Sequence, residues 1–301
     1  MTLFDQDGAG LDPIYLRLRD TNGRSDAEQK AYLDGLWTRA RPHLDVNFKS
    51  AFACNTAQRF WELRLAIAFL DLGYALDVGG EGRPDLATRL SSGDRLWIEA
   101  VAPTIGAPNN PDRPAGLIPD GRFRPVPIEQ ILMRYTQVLR DKRDQFLGYR
   151  QAGVVAKGDR CVIAVSSAAL WPHVASVGLP RILSAVFPIG NERVIINRGT
   201  LAVVSVEHEY RGEVFRAGGA GIPTTAFLTP EYAMISGVIH DTARPTGWRQ
   251  QSYARLVSAN NPTTTAPLPP GYFAWGEEYR SEPNGDGFSL RRLDTRMDGS
   301  P

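Results

Sequence analysis

Between residues 56 and 166 the chain alternates helical and strand patterns, and their order favours a mixed sheet with helices packed against it. The predicted elements are a helix over 56–72, strands over 74–78, 86–90 and 95–101, a helix over 128–151, and a strand over 161–166. A turn-rich segment at 91–93 joins the second and third strands as a hairpin. We therefore predict an α/β fold with a mixed central sheet flanked by helices.

The remaining segments predict one domain between two irregular ends. Residues 1–24 are polar and lack periodicity, which predicts a flexible N-terminus. Residues 25–257 form the predicted domain, in which strand patterns after residue 190 add a strand-rich C-terminal elaboration. Residues 258–301 begin with a segment rich in proline, threonine and asparagine, and they are predicted to be a linker and tail. The loop 102–127 contains seven prolines and three glycines, a composition and length typical of functional or flexible loops.

Composition excludes several classes of protein. The formal net charge is +1, so a nucleic-acid partner would need a local basic patch rather than a basic chain. The longest apolar stretch, 63–76, is interrupted by charged residues and is too short to span a bilayer. The first ten residues lack the basic start of a signal peptide, and Cys54 and Cys161 have no zinc or disulfide spacing. These features predict a cytoplasmic protein without a membrane partner.

Three acidic residues lie at positions that would bring them together in this fold. Glu62 lies in the first helix, Asp85 follows Pro84 at the start of the hairpin, and Glu99 lies 14 residues later in the middle of the return strand. Two carboxylates on adjacent strands of one hairpin can bind the same hard divalent cation through their oxygens. Such an ion polarises a phosphodiester and lowers the pKa of a water molecule bound to it.

The predicted helix 128–151 presents a second set of candidate residues on one face. Spacings of three and four residues place six side chains on that face: Ile131, Tyr135, Val138, Lys142, Gln145 and Tyr149. The first half of the face is apolar, whereas Lys142 and Gln145 interrupt it. Because polar groups on a core-facing stripe destabilise the fold unless they are paired, these two residues are candidates for a functional site.

These residues and their order resemble the PD-(D/E)XK, or restriction-endonuclease-like, nuclease superfamily, over roughly residues 56–165. The resemblance implies a restriction-endonuclease-like core and metal-dependent hydrolysis of nucleic acid, with DNA favoured over RNA. It implies that Asp85, Glu99 and the carbonyl of Ala100 bind Mg²⁺ or Mn²⁺, and that Glu62 acts directly or through water. The sequence from Gln145 to Tyr149 also fits the QxxxY motif of one branch of the superfamily, in which the pair supports the site and the bound strand.

The sequence departs from the family pattern at Val101, where the motif has a lysine. That lysine holds the attacking water and offsets charge on the phosphate, and valine can do neither. Some members of the superfamily carry the lysine on a neighbouring helix, and Lys142 is placed for that role. The alternative is a protein that kept the fold, lost catalysis and acts as a nucleic-acid-binding or accessory module. An accidental match in another α/β protein also remains open.

Ordinary structural roles compete with each assignment. Glu62 and Glu99 could be solvated residues of a helix and an edge strand, and Asp85 could be a turn former. Lys142 could extend from the edge of the core into solvent. Between residues 122 and 150 seven cations oppose three acids, which predicts a basic patch that suits a phosphate backbone. We therefore predict that Arg134 and Arg140 bind nucleic acid, although an exposed charged helix face would give the same pattern.

Overall fold

The computed structural model describes residues 2–21, 23–115, 125–170, 178–246, 256–273, 275–285 and 287–294. The helices of these residues are α1 (Pro13–Asp20), α2 (Arg24–Ala40), α3 (Phe48–Cys54), α4 (Thr56–Asp71), α5 (Ile128–Gln151) and α6 (Leu183–Val186). The strands of the main sheet are β1 (Leu86–Arg89), β2 (Arg95–Val101), β3 (Arg160–Ser166), β8 (Ile235–Asp241), β9 (Val257–Asn260), β10 (Glu277–Asn284) and β11 (Gly287–Asp294). Two separate ribbons are formed by β4 (Ile189–Ile196) with β5 (Val203–Tyr210), and by β6 (Glu213–Phe215) with β7 (Gly221–Pro223).

The seven strands follow the spatial order β1-β2-β3-β8-β9-β10-β11. The hairpin strands β1 and β2 are antiparallel, while β2, β3 and β8 run parallel to one another. The remaining neighbours alternate, since β8 and β9 are antiparallel, β9 and β10 parallel, and β10 and β11 antiparallel. The predicted α/β class with a mixed central sheet is therefore confirmed.

Alternating side chains of the sheet support a hydrophobic core on each face. Leu96, Ile98 and Ala100 of β2 belong to one core, together with residues of α1 to α4. Trp97, between them in sequence, belongs to the other core, together with residues of α5 and α6. Because successive side chains of a strand point to opposite faces, Glu99 lies on the same face as Trp97, the face that α5 covers.

Helix α4 is buried on nearly all sides, as expected for a helix that packs against a sheet beneath other helices. Asn55 caps its N-terminus by accepting a hydrogen bond from the backbone N–H of Gln58. Trp61 is almost fully buried and its indole N–H donates to the carbonyl of Ala164 in β3 at 2.9 Å. This bond fixes α4 across the sheet and thereby fixes the position of Glu62, the next residue.

The structure differs from the predicted chain ends. Residues 1–24 were predicted to be flexible, but Leu3 and Phe4 are buried and α1 begins at Pro13 with Asp12 as its N-cap. Residues 258–301 were predicted to be a linker and tail, but β9, β10 and β11 extend the main sheet there. The predicted strand 74–78 is reduced to one bridge, between Leu76 and Thr88. No helix of the described residues is long and apolar enough to cross a bilayer.

Candidate active site

Asp85 and Glu99 lie beside each other at the start of the β1–β2 hairpin. The register pairs Leu86 with Ile98, so Asp85, one residue earlier, lies beside Glu99 on β2. One carboxylate oxygen of Asp85 accepts a hydrogen bond from the backbone N–H of Ala100 at 2.8 Å. Glu99 is 2 % exposed and β2 lies between β1 and β3, so Glu99 is not a solvated residue of an edge strand.

Lys142 reaches Glu99 from α5. Its Nζ donates to Oε1 of Glu99 at 2.7 Å, and the lysine side chain is 18 % exposed. Lys142 therefore does not extend into solvent from the edge of the core. A cation on α5 contacts the strand carboxylate, while the motif position, Val101, carries no charge.

Gln145 and Tyr149 continue this network along the same face of α5. Lys142 Nζ also donates to Oε1 of Gln145 at 3.1 Å, and Nε2 of Gln145 donates to the Tyr149 hydroxyl at 2.6 Å. Burial, followed by the negative charge of Glu99, raises the pKa of Tyr149 to about 12, so its hydroxyl stays protonated. The two residues of the QxxxY pattern thus contact each other, and Gln145 also positions the lysine.

Glu62 is held by residues one helical turn earlier on α4. Oε1 of Glu62 accepts from the Gln58 amide at 2.9 Å, and Oε2 accepts from Arg59 at 2.7 Å. The Gln58 amide also donates to the carbonyl of Ala100 at 3.1 Å and accepts from the backbone N–H of Ala102 at 2.7 Å. Since Glu62 is 3 % exposed, it is not a solvated helix residue. Gln58 and Arg59 were not predicted, although their spacing of four and three residues before Glu62 was the available signal.

The carboxylates repel one another in a poorly solvated setting. Burial, and then the charge of Asp85, raises the pKa of Glu62 to about 8, against the opposing effect of Arg59. Burial and Asp85 likewise raise the pKa of Glu99 to about 7, although Lys142 opposes the shift. Burial also raises the pKa of Asp85, while Lys142, the N–H of Ala100 and Arg59 lower it. Additional positive charge at this point would therefore be stabilising.

The shifted pKa of Glu62 predicts how stability changes with pH. The folded state holds a proton on Glu62 up to about pH 8, whereas the unfolded chain loses it near 4.5, so the stabilising contribution is lost as pH rises between these values. As the pH rises from about 5 to about 8, the free energy of unfolding of Glu62→Gln should increase by about 1–3 kcal/mol relative to that of the wild type. Urea unfolding of both proteins across this range measures the difference. Parallel stability curves would contradict the predicted shift.

A pocket of about 280 Å³ opens beside Glu62 and Asp85. Besides these two acids it is lined by Leu44, Asp45, Asn47, Arg59, Gly80, Glu81, Gly82 and Arg83. Asp45 accepts a hydrogen bond from Arg59 at 2.7 Å, so the arginine links it to Glu62. These loop residues were not predicted, because no periodic pattern indicates which loops meet.

Gly79 allows one wall of this pocket to form. A Cβ added at Gly79 would overlap the backbone of Leu44, so alanine there would push two loops apart. We expect Gly79→Ala to destabilise the protein by about 1–3 kcal/mol, as overpacking does elsewhere. Gly35→Ala is the matched control, because Gly35 lies in α2 with no atom within 4 Å of the added Cβ. Urea unfolding should show the control stabilised by about 0.5–1 kcal/mol, and equal effects of the two changes would contradict the close approach.

The two predicted nucleic-acid arginines are not part of the carboxylate network. Arg140 precedes Lys142 by two residues and lies on the far face of α5, where it donates to Gln137 and lines a different pocket with Tyr232. Because two residues correspond to about 200° around a helix, Arg140 does not face the carboxylates, and its binding of nucleic acid stays a prediction. Arg134 packs against Gly106 in the loop after β2. Two other cations of the predicted basic patch, Arg122 and Arg124, lie outside the described residues.

The chemistry of the site suits a hard divalent cation. In the described part of the chain, no three His, Cys, Asp or Glu side chains are grouped to hold one ion. The predicted ligands are instead two carboxylates, Asp85 and Glu99, and the carbonyl of Ala100, all of them oxygens that Mg²⁺ accepts. Oε2 of Glu99 is buried and has no hydrogen-bond partner among the described residues. An unpaired buried carboxylate oxygen beside a second carboxylate fits a cation ligand.

Comparison with known proteins identifies no match to this chain. No protein-family model, curated protein or solved structure matches the chain. Function is therefore inferred from the geometry and electrostatics of the site.

Proposed function

We propose that this protein is a metal-dependent nuclease with a restriction-endonuclease-like core, in which Lys142 replaces the lysine of the family motif. The contact between Lys142 and Glu99 carries the proposal, because it supplies a cation at a carboxylate pair that the sequence leaves without one at Val101. The order of α4, the β1–β2 hairpin, α5 and the parallel strand β3 agrees with the layout on which the resemblance rests.

Asp85, Glu99 and the carbonyl of Ala100 would hold Mg²⁺ or Mn²⁺. The bound ion supplies Lewis acidity, which polarises the phosphate and makes a nearby water a better nucleophile. Lys142 has three N–H groups, of which Glu99 and Gln145 each accept one. The third can donate to a phosphate oxygen and offset the charge that develops during attack.

Glu62 and Tyr149 would have supporting roles in the reaction. Glu62 lines the same pocket as Asp85, and its pKa of about 8 leaves it protonated at neutral pH, so it would accept a proton from water only after it has lost its own, above about pH 8 or once a bound cation lowers its pKa. Tyr149 and Gln145 present polar groups on α5 next to Lys142, where they can contact the bound strand. In hydrolysis the water oxygen bonds to phosphorus, one P–O ester bond breaks, and the leaving oxygen takes up a proton that the water has lost.

Val101 favours a second candidate, a protein that binds nucleic acid without cleaving it. Its side chain occupies the position at which the family has the catalytic lysine. In that case Lys142 would only neutralise Glu99. Binding without turnover separates this candidate from the nuclease.

The test is incubation of the purified full chain with labelled single- and double-stranded DNA and RNA, with Mg²⁺, Mn²⁺ or a chelator. We expect cleavage that requires the metal, with DNA preferred over RNA. Asp85→Ala and Glu99→Ala should each lower the rate by about 100-fold or more, because each removes a carboxylate ligand. Asp94→Ala is the matched control, since Asp94 lies in the turn of the same hairpin and contacts Ser92 and Arg160 instead.

Three other outcomes would contradict the nuclease proposal, each for a different reason. Cleavage that survives both Asp85→Ala and Glu99→Ala would come from a contaminant, and the proposal would fail. Metal-independent binding without cleavage would favour the non-catalytic candidate. A protein that neither binds nor cleaves any of these nucleic acids would leave the motif as an accidental match.

A further inference from the structure

The ribbon formed by β4 and β5, here called the arm (residues 189–210), carries an unusual share of the exposed apolar surface. Eight of the fifteen exposed large apolar side chains among the described residues belong to it, with exposures of 44–80 %. They are Val194, Ile195, Ile196, Leu201, Val203, Val204, Val206 and Tyr210. Three of them are consecutive in β4, so apolar groups face solvent on both sides of the ribbon.

The arm consists of two strands that pair only with each other among the described strands. No other strand of the described residues pairs with β4 or β5, so each strand has one edge of backbone N–H and C=O groups that no described strand pairs. A two-stranded ribbon alone is marginally stable in water, and an unprotected apolar edge promotes pairing with another chain. Exposed apolar surface concentrated on one element in this way marks an interaction site.

We propose that the arm is covered by a second copy of this chain, with the β5 edges of the two copies paired antiparallel across a two-fold axis. The eight exposed side chains present roughly 800 Å² of accessible surface, comparable with the share of one partner in a standard protein interface. Pairing of the β5 edges brings the four that lie on β5 against the second copy: Val203, Val204, Val206 and Tyr210. The arm contains three glutamates and two arginines, a balance that does not suit a phosphate backbone. Free strand edges also need another peptide backbone as partner, which nucleic acid does not offer.

Charge limits the register of the paired strands, and we place Val206 on the axis. If Val206 lies on the axis, Ser205 is opposite Glu207 and Val204 is opposite His208 of the other copy, so no like charges meet. A register centred on Glu207 would place two glutamates directly opposite each other, which is destabilising. Pairing at Val206 therefore gives a four-stranded sheet in which the valines of the two central strands pack beside side chains of the other copy.

The first test is the oligomeric state of the full chain in solution. Light scattering during size-exclusion chromatography should give about twice the 33.1 kDa of one chain at about 100 µM, a concentration above the micromolar to picomolar Kd values of standard interfaces. Val206→Lys places two cations opposite each other and should weaken the dimer at least about 100-fold. Val46→Lys, which changes an 85 % exposed valine outside the arm, is the matched control and should remain a dimer. Circular dichroism establishes that both variants are folded.

The second test is disulfide cross-linking in a Cys54→Ser background, in which the remaining Cys161 is buried. Val206→Cys should form a dimer on mild oxidation, because directly opposite residues of antiparallel strands lie within disulfide distance. Val194→Cys lies opposite Val206 on the other strand of the ribbon, is similarly exposed, and should not cross-link. A monomeric wild type, a dimer that Val206→Lys leaves intact, or cross-linking at Val194 alone would each overturn the proposal.

Discussion

Replacing Lys142 by methionine is expected to lower the rate of nucleic-acid cleavage by about 10²–10³-fold, the typical effect of losing one preorganised donor to a developing oxyanion. Methionine keeps much of the side-chain volume and removes the charge that contacts Glu99. Because the proposed role of the lysine is to act on the transition state, kcat should fall while KM changes little. Single-turnover cleavage of labelled DNA with saturating Mg²⁺ measures the effect.

This prediction has a matched control variant and one outcome that would contradict it. Lys157→Met removes an exposed lysine in the loop after α5 and should leave the rate unchanged. Removing Lys142 also leaves Glu99 buried without its cation, so the variant must be shown to be folded by its unfolding curve. A folded Lys142→Met protein that cleaves at the wild-type rate would show that Lys142 is not the substitute for the motif lysine.

The sequence predicted the central elements best where apolar periodicity is strong. The predicted helix 128–151 and strand 95–101 match α5 and β2 residue for residue, because apolar residues recur along most of each element with the spacing of a helix or a strand. The ends were predicted poorly. Strand β10 has the sequence EEYRSEPN, whose charges suit a strand near the edge of a sheet but hide the apolar alternation. Helix α1 was missed even though Asp12 and Pro13 form a recognisable helix start.

The site was predictable as far as helical and strand geometry extends. Asp85 lies beside Glu99 because hairpin register follows from the turn, and Lys142 reaches Glu99 because it lies on the apolar face of α5. The same helical geometry, applied to Arg140, would have placed it on the opposite face. Asp45 and Gly79 enter through loop packing, which depends on tertiary contacts that no local pattern encodes.

The second large effect expected concerns a buried ion pair that joins α4 to the end of β8. Nε of Arg64 lies 2.5 Å from a carboxylate oxygen of Asp241, and both side chains are almost fully buried. The other oxygen of Asp241 accepts from the backbone N–H groups of Thr242 and Ala243. Arg64→Met removes the guanidinium and leaves a buried carboxylate without its cation. We expect a loss of about 3–5 kcal/mol in the free energy of unfolding, measured by urea titration.

Burial, rather than the mere presence of an ion pair, accounts for this expected loss. Arg39→Met is the matched control, because Arg39 pairs with Asp71 on the surface, where both side chains are at least one-third exposed. Such exposed pairs contribute about 0–1 kcal/mol, so the control should unfold close to the wild type. The double variant Arg64→Met with Asp241→Leu should recover part of the loss, since no uncompensated charge then remains buried. If Arg64→Met and Arg39→Met proved equally stable, the buried pair would not hold α4 to the sheet.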